Sequence, residues 1–283
     1  MRISILLQPS EDDPSIPRVN PVTGEVIARL RERGARVDMT LPESEPLRVA
    51  DVRPGHDLYV LKSKTPLSLG LAGVLTLAGA RVVNGFRASS LARDKIATTS
   101  ILAAAGVPQP PSWATGRSAA LLPLLADGPL WVKPPRGSKG RGVRRLTDPA
   151  ELGEAEPLTD PSGLPLPLFA QRDVGASGRD VKVYVVGERA WAVAKPWPVR
   201  SVQDKTGTPV PLPPDIRAAA LACGRALGLE LFGVDFVVAG DRFFVVDVNA
   251  FPGFRGAADL PRALAGYIYE RALGRDPVIS QAV

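Results

Sequence analysis

Two stretches of this chain carry oxygen donors in an order suited to a hard cation. Val245-Val246-Asp247-Val248-Asn249 reads as a strand, so Asp247 and Asn249, two positions apart, face the same way. Asp235, in Gly233-Val-Asp235-Phe-Val-Val, falls on the expected partner strand. Three oxygen donors on one sheet face fit a cation such as Mg²⁺ that also binds phosphates. The alternative makes Asp247 a strand-end turn former and Asn249 a turn residue before Pro252. A carboxylate flanked by valines is costly to bury unpaired, which favours the metal role.

A second group of residues could hold phosphate. Lys133-Pro-Pro-Arg-Gly137-Ser138-Lys139-Gly140-Arg141-Gly142-Val143 reads as a strand, a glycine-rich loop and another strand. Such glycines let backbone N–H groups converge on one anion, and Lys139 and Arg141 add charge. The segment lacks the Walker A pattern, and no helix follows it as a dinucleotide fingerprint requires. A plain basic hairpin turn is the competing reading. Four lysines complete the set: Lys95 at a helix start, Lys133 at a strand end, and Lys182 and Lys195 within a strand pair. Lys133 and Lys182 interrupt apolar strand patterns, which argues against ordinary surface lysines.

The elements that must position these groups follow from periodicity. Strands are expected at Ile3–Leu7, Leu58–Leu61 and Arg81–Val83, with helices at Val22–Arg33 and Leu67–Ala78. This order implies a small parallel α/β lobe over residues 1–92. Asp94 is placed to cap a helix running to Ala105, which Gly106 and Pro108 then end. Strands Leu130–Lys133 and Val143–Leu146 flank the glycine loop, and 154–167 reads as a proline-rich connection. Leu168–Gln171, Val181–Val186 and Ala190–Lys195 read as strands, and Ile216–Leu227 as a helix. Phe232–Val238 and Arg242–Val248 form a hairpin across Ala239-Gly240-Asp241.

Composition narrows the function classes. The 283 residues are 45% apolar with ordinary charge content, enough for a packed core. The single His56 excludes His-centred triads and multi-histidine zinc sites. Cys223, the lone cysteine, excludes an intramolecular disulfide and sits in a helix-like apolar run as a buried small hydrophobe. A reducing cytoplasm is the expected compartment. No apolar run of about 18 residues suggests a membrane span. The opening Met1–Pro9 is too briefly apolar for a secretory signal and reads as a buried strand. A net charge of +6 and a pI near 9.7 favour anionic partners. Nucleic acid is not the expected one, because no basic block carries interleaved aromatics.

In chain order these pieces resemble an ATP-grasp enzyme over roughly residues 90–270. The motifs are Arg93-Asp94-Lys95, Ala-Ala-Gly106-Val-Pro108, Val-Lys133-Pro and the Gly-Ser-x-Gly-x-Gly-Val loop. Phe169-Ala-Gln171-Arg172-Asp173-Val174, Asp180-Val-Lys182-Val-Tyr-Val-Val-Gly187 and the Asp235/Asp247/Asn249 set follow. The resemblance implies an α/β protein, α+β toward its C-terminal part. A parallel lobe (1–92) would precede a central lobe (93–168) and a C-terminal lobe (169–283) that clasp ATP. It implies that Lys95 and Lys133 touch phosphates or the adenine edge and that Gly137, Ser138, Lys139, Gly140 and Gly142 fold over the phosphates. Gln171, Arg172, Asp173 and Val174 would supply the adenine-binding linker, with Asp180 nearby. Asp235, Asp247 and Asn249 would hold one or two Mg²⁺, with Mn²⁺ as a substitute.

Two branches of that superfamily compete. The glycine loop is similar to that of the glutamate ligases acting on ribosomal protein and related peptides. These make an acyl phosphate from a carboxylate, which an amine then attacks. This chain departs from them in carrying Asp247-Val-Asn249 for the common Glu-x-Asn, and Lys182 and Lys195 where Arg is common. An Arg-x-Asn…Gly-Gly stretch is also absent from 196–213. The inositol trisphosphate 5/6-kinase branch is similar in Lys182-Val-Tyr-Val-Val-Gly, Lys195-Pro196 and Asp247-Val-Asn249-Ala-Phe-Pro-Gly253-Phe. It implies Lys182, Lys195, Asn249 and Gly253 near a phosphorylated substrate, but its histidine-bearing glycine loop is missing. Carboxylate–amine ligation is the expected activity, with Lys182 and Lys195 as its catalytic lysines. A small-molecule kinase is the alternative, and a non-catalytic nucleotide-binding protein the second alternative. The acceptor is expected to be an anionic small molecule or peptide, selected partly by Lys62-Ser-Lys64-Thr65. Homo-oligomers are common in the family.

Overall fold

The computed structural model describes residues 1–137, 140–155, 162–175, 179–196 and 206–275. Its first sheet is parallel, formed by β1 (Arg2–Leu6), β2 (Arg36–Thr40), β3 (Leu58–Leu61) and β4 (Val82–Val83) in the order β2-β1-β3-β4. Helix α1 (Pro21–Glu32) covers one face through Val26, Ile27 and Leu30, and α2 (Pro66–Leu77) the other through Ala72 and Leu75. Both helices start with proline behind a side-chain cap, Asn20 and Thr65, which satisfies an otherwise orphaned N–H. Short helix α3 (Phe86–Leu91) then leads into α4 (Lys95–Ala104), which Asp94 caps by accepting from Ile96 N and Ala97 N.

The second sheet is antiparallel. Its strands β5 (Ser112–Thr115), β6 (Leu130–Lys133), β7 (Arg144–Leu146) and β8 (Leu168–Arg172) run in the order β5-β8-β6-β7. Helix α5 (Leu122–Ala126) contributes Leu125 to a small core with Leu130, Val132, Leu146 and Ala170.

The third sheet is also antiparallel, with order β11-β10-β9-β12-β13. Its strands are β9 (Arg179–Val186), β10 (Arg189–Pro196), β11 (Thr208–Val210), β12 (Leu231–Ala239) and β13 (Arg242–Ala250). One face packs against α4 and against α6 (Pro214–Leu227). At the tightest point of this contact, a Cβ on Gly224 would stand 2.4 Å from Cζ of Phe232, so only glycine lets helix and strand approach. Cys223 is fully buried on the same helix face, and burial pushes its thiol up to about 12. His56 has a structural role, with Nε2 2.8 Å from Asp38 Oδ2 and Nδ1 3.3 Å from the Tyr59 hydroxyl.

Several elements go beyond the sequence reading. Strands β2, β5 and β11 are additional, as are α3 and α7 (Leu260–Ala272). Leu260, Leu264, Ala265, Ile268 and Ala272 of α7 form a buried stripe packed in the core of the first sheet. Tyr184, Leu231, Phe251 and Phe254 enter that core from the third sheet and the loop after it. Asn84 pins the two parts further: its Nδ2 donates to Leu231 O at 2.7 Å, and its Oδ1 accepts from Glu230 N and Leu231 N at 2.9 Å each. Residues 156–161 of the expected connection lie outside the described residues.

Candidate functional site: an acid–amide cluster ringed by lysines

The site is built on the hairpin β12–β13, closed by Gly240-Asp241. Strand β12 lies between β9 and β13, so Asp235 stands beside Lys182 on one side and Asp247 on the other. A β-bulge between Asp235 and Phe236 adjusts the register at this point. Strand β13 runs on to Ala250, so Asp247 and Asn249 are interior strand residues rather than turn formers.

The donors meet. Lys182 Nζ donates to both oxygens of Asp235, at 2.6 and 2.8 Å. Asn249 Nδ2 donates to Asp247 Oδ2 at 2.9 Å and to Asp235 Oδ2 at 3.2 Å. Lys95, at the start of α4, brings Nζ to 3.5 Å from Asp247 Oδ1. Burial alone would push Lys182 down; Asp235, helped by Tyr184 and Asp247, overrides it and holds the ammonium above its ordinary value.

Around this cluster the charges crowd. Burial, with repulsion from Lys95, lowers Lys133 to about 8 against the opposing pull of Asp247, Asp235 and Asp180. Its Nζ donates to Gln171 Oε1 at 2.6 Å, and Gln171 Nε2 donates to Ser112 Oγ at 3.2 Å. Lys195 is lowered to about 8 by burial and by Lys182 and Arg255. Asp180 is raised to about 6 by burial and by Asp235, despite Lys133 and Lys195. A small pocket lined by Lys95, Thr98, Gln109, Phe169, Gln171 and Asp247 lies between α4, β8 and β13.

The glycine loop joins β6 to β7. Gly140 and Gly142 both adopt a left-handed φ of 70°, and a Cβ on Gly142 would stand 2.9 Å from Pro134 Cγ. Ser138 and Lys139 lie outside the described residues. Lys95 N donates to Pro135 O at 3.0 Å, which ties the start of α4 to the loop.

The linker residues are committed elsewhere. Arg172 N donates to Pro111 O at 2.9 Å and Asp173 N to Pro129 O at 3.0 Å. The Arg172 guanidinium donates to the carbonyls of Gly128 and Leu124 and stacks over Trp113. Asp173 accepts from Arg145 Nε at 2.6 Å and from Gly175 N at 2.9 Å. These contacts fasten the end of β8; Val174 follows at the start of the connection to β9.

Three basic residues that the sequence motifs named without partners find their contacts in the structure. Arg93 donates to Ser63 O at 3.2 Å, joining the first sheet to the start of α4. Lys64, exposed at the rim, lies within electrostatic reach of Asp247, Lys182, Arg93 and Asp235. Lys62, expected to help select an acceptor, instead turns toward the loop after β13, which carries Phe251 and Phe254 at left-handed φ values of 45° and 49°. Such angles cost about 1–2 kcal/mol for a residue with a Cβ. The run of basic residues flagged Lys62, but the sequence held no sign of its partner some 190 positions away.

The residues present fit a hard cation bound together with phosphate. Among the described residues no three His, Cys, Asp or Glu side chains form a metal cluster, so an all-protein cage is not built. Two carboxylates and one amide match Mg²⁺, which usually takes one or two carboxylates and completes its shell with phosphate and water. A flip of the Asn249 amide would set Oδ1 beside Asp235 and Asp247, an arrangement of three oxygens that a cation stabilises.

Comparison with known proteins agrees with this geometry. Residues 199–270 match the inositol 1,3,4-trisphosphate 5/6-kinase ATP-grasp domain model. A relative from Sodalis glossinidius, named Probable alpha-L-glutamate ligase, is 32% identical over 256 residues, 81% of this chain and 86% of its own. For two further proteins of this kind the match spans just under two thirds of their length, 64% and 62%. The RimK domain protein ATP-grasp from Sphaerobacter thermophilus superposes with a TM-score of 0.75 at 20% identity, over 97% of this chain and 100% of that one. The ATP-grasp ligase PsnB, solved with minimal precursor, Mg and ADP, gives 0.67 at 20% identity over 96% and 98%. The match across most of a glutamate-ligase relative shows that this chain belongs to the ATP-grasp superfamily, and it shares the fold of solved ATP-grasp proteins.

Proposed function

We propose that the chain is an ATP- and Mg²⁺-dependent carboxylate–amine ligase. The observation that carries this reading is the Asp235, Asp247 and Asn249 cluster, faced by Lys95 and Lys182 within 3.5 Å. A carboxylate oxygen of the acceptor attacks the γ-phosphorus of ATP, and ADP leaves. The amine nitrogen then attacks the acyl carbon, phosphate leaves, and the surplus amine proton passes to solvent. Bound Mg²⁺ would neutralise charge on the transferring phosphoryl group. Asp235, Asp247 and Asn249 hold that cation. Lys182 and Lys195 stabilise the charge that spreads over the phosphoryl oxygens, a task of positioning and electrostatics rather than proton transfer.

Lys95 and Lys133 hold the nucleotide at the neighbouring pocket, and Gly137, Gly140 and Gly142 close over its phosphates. Gln171 orients Lys133, and Arg172, Asp173 and Val174 fix the end of β8 beside the base. Asp180, across the strand pair from Lys195 and within electrostatic reach of Asp235, adds negative charge to the nucleotide side of the cleft. Basic side chains outnumber acidic ones in the cleft, with Lys64, Arg93 and Arg255 adding to the lysines. That excess favours an anionic acceptor, a peptide or small molecule. The names of the relatives support ligation, and PsnB, solved also with precursor peptide PsnA2 and AMPPNP, supports a peptide acceptor.

The match of residues 199–270 to a kinase ATP-grasp domain favours a second reading, phosphoryl transfer to a hydroxyl. Mass spectrometry of products from a panel of carboxylate, amine and polyol acceptors, assayed by ADP release, separates the two. An amide product supports ligation; a phosphate ester on a polyol hydroxyl, with no amide formed, refutes it. Asp247→Asn serves as the control, and ADP release at the wild-type rate from that variant would overturn the metal assignment.

A further inference from the structure

The loop that follows the metal strand adopts a conformation its sequence does not favour. Phe251 and Phe254 both carry side chains at left-handed φ, and both are buried. The loop starts two residues after Asn249, and the ring of Pro252 crowds the backbone of Gly233: a Cβ there would meet Pro252 Cγ at 3.0 Å and Lys182 Cε at 3.2 Å. The position of this loop therefore bears on both Asn249 and Lys182. Something must hold it against its local preference.

Lys62 is placed to do so. It directly follows β3, and its backbone N–H is itself fixed to Leu6 O and Val60 O at 3.1 Å. Its Nζ donates to Pro252 O at 3.0 Å and Phe251 O at 3.3 Å, and lies 5.0 Å from the centre of the Phe251 ring. On the other side of the loop, Phe251 N donates to Leu231 O at 2.8 Å, and the Phe251 and Phe254 rings pack edge to face in the core shared with the first sheet. The loop is gripped from two sheets, and Lys62 is the side-chain grip from the first.

We infer that Lys62 is a positioning residue: by holding the Phe251 and Pro252 carbonyls it fixes the loop that orients Asn249 and Lys182 for the nucleotide-bound metal. This rests on the proposed ATP and Mg²⁺ reading. The amine has donors for both carbonyls whether or not it is protonated, so the two hydrogen bonds persist in either state. Through it the first sheet, remote in sequence from the hairpin, becomes part of the metal site's support. Removing outer partners that orient ligands typically lowers metal affinity about 10- to 100-fold.

The test is calorimetric binding of ADP, with Mg²⁺ and with a chelator, to wild type, Lys62→Met and Lys62→Arg. Lys62→Leu replaces the Met variant if circular dichroism shows that variant unfolded. Wild type is expected to bind ADP more tightly with Mg²⁺ than without. In Lys62→Met the metal-free affinity should stay within about twofold while the Mg²⁺-dependent gain falls about 10-fold or more. Lys62→Arg, which keeps donors at the loop, should recover most of that gain. An undiminished gain in folded Lys62→Met or Lys62→Leu overturns the inference, as does an equal loss in Lys62→Arg or a parallel loss of metal-free affinity. A wild type without any Mg²⁺-dependent gain refutes the proposed function itself.

Discussion

The pairing of Lys182 with Asp235 allows a quantitative test, because the two partners are unequally buried. The Lys182 side chain is 10% exposed and that of Asp235 30%. At 2.6–2.8 Å and an effective dielectric of about 20, their attraction is about 6 kcal/mol, most of it offset by desolvation. Removing one partner exposes the imbalance. Asp235→Asn strands the deeper charge and should cost about 3–4 kcal/mol, within the range for breaking a buried pair. Lys182→Met leaves a carboxylate that still reaches solvent and accepts from Asn249 at 3.2 Å, so about 1–2 kcal/mol is expected. The double variant should cost only about 2 kcal/mol, for a coupling energy near 3 kcal/mol. Urea unfolding of the four proteins at neutral pH measures this. Lys182 is held above its ordinary value of 10.5, so the pair's contribution is fully present there and fades only as pH rises through the lysine range. A coupling energy below about 0.5 kcal/mol, or a larger cost for Lys182→Met than for Asp235→Asn, would refute the reasoning.

Two further perturbations read the same site. Gly233→Ala places a Cβ 3.0 Å from Pro252 Cγ, 3.2 Å from Lys182 Cε and 3.4 Å from Tyr184 Cδ1. It should destabilise the protein by about 1–3 kcal/mol and slow ADP release at least about tenfold; unchanged melting and turnover would show that the loop yields freely. Asp180→Asn tests the crowding of carboxylates. The carboxyl of Asp180 ionises near 3.8 when unfolded and at about 6 when folded, so the native state loses stability as pH rises between those values. The Asn variant lacks that loss. Its advantage should be absent near pH 4 and reach about 1–2 kcal/mol above pH 7, allowing for solvent screening. A pH-independent difference in melting temperature would count against the assignment.

Much of the site could be read from local pattern, because its parts are strand residues whose facing follows from alternation. The spacing of two from Asp247 to Asn249 places both on one face whatever the surroundings; the turn at Gly240-Asp241 pairs the strands, but it is the bulge between Asp235 and Phe236, unannounced by local pattern, that brings Asp235 opposite Asp247. Asp94 ahead of Lys95 announced a helix start in the same local way. The parallel first lobe followed from alternating strand and helix periods. Short β5 and β11 were hidden because three or four residues carry too little periodicity. Helix α7 carries a stripe at Leu260, Leu264 and Ile268 whose helical spacing is legible in the sequence.

Tertiary structure alone decided which groups answer one another. Lys62 and Pro252, and Asn84 and Leu231, meet because the first and third sheets share a core, and no local rule pairs residues so distant in sequence. The same holds for the linker. Arg172 and Asp173 carry the right motif, but their backbone N–H groups are held by Pro111 and Pro129 on neighbouring segments. The sequence by itself determined the donor types, their facing and the charge of the cleft, since these depend on residue identity and strand or helix period. The register of lysine against carboxylate, and the grip of the first sheet on the left-handed loop, were decided only by packing. They depend on distances between segments that the chain brings together by burying one continuous apolar surface.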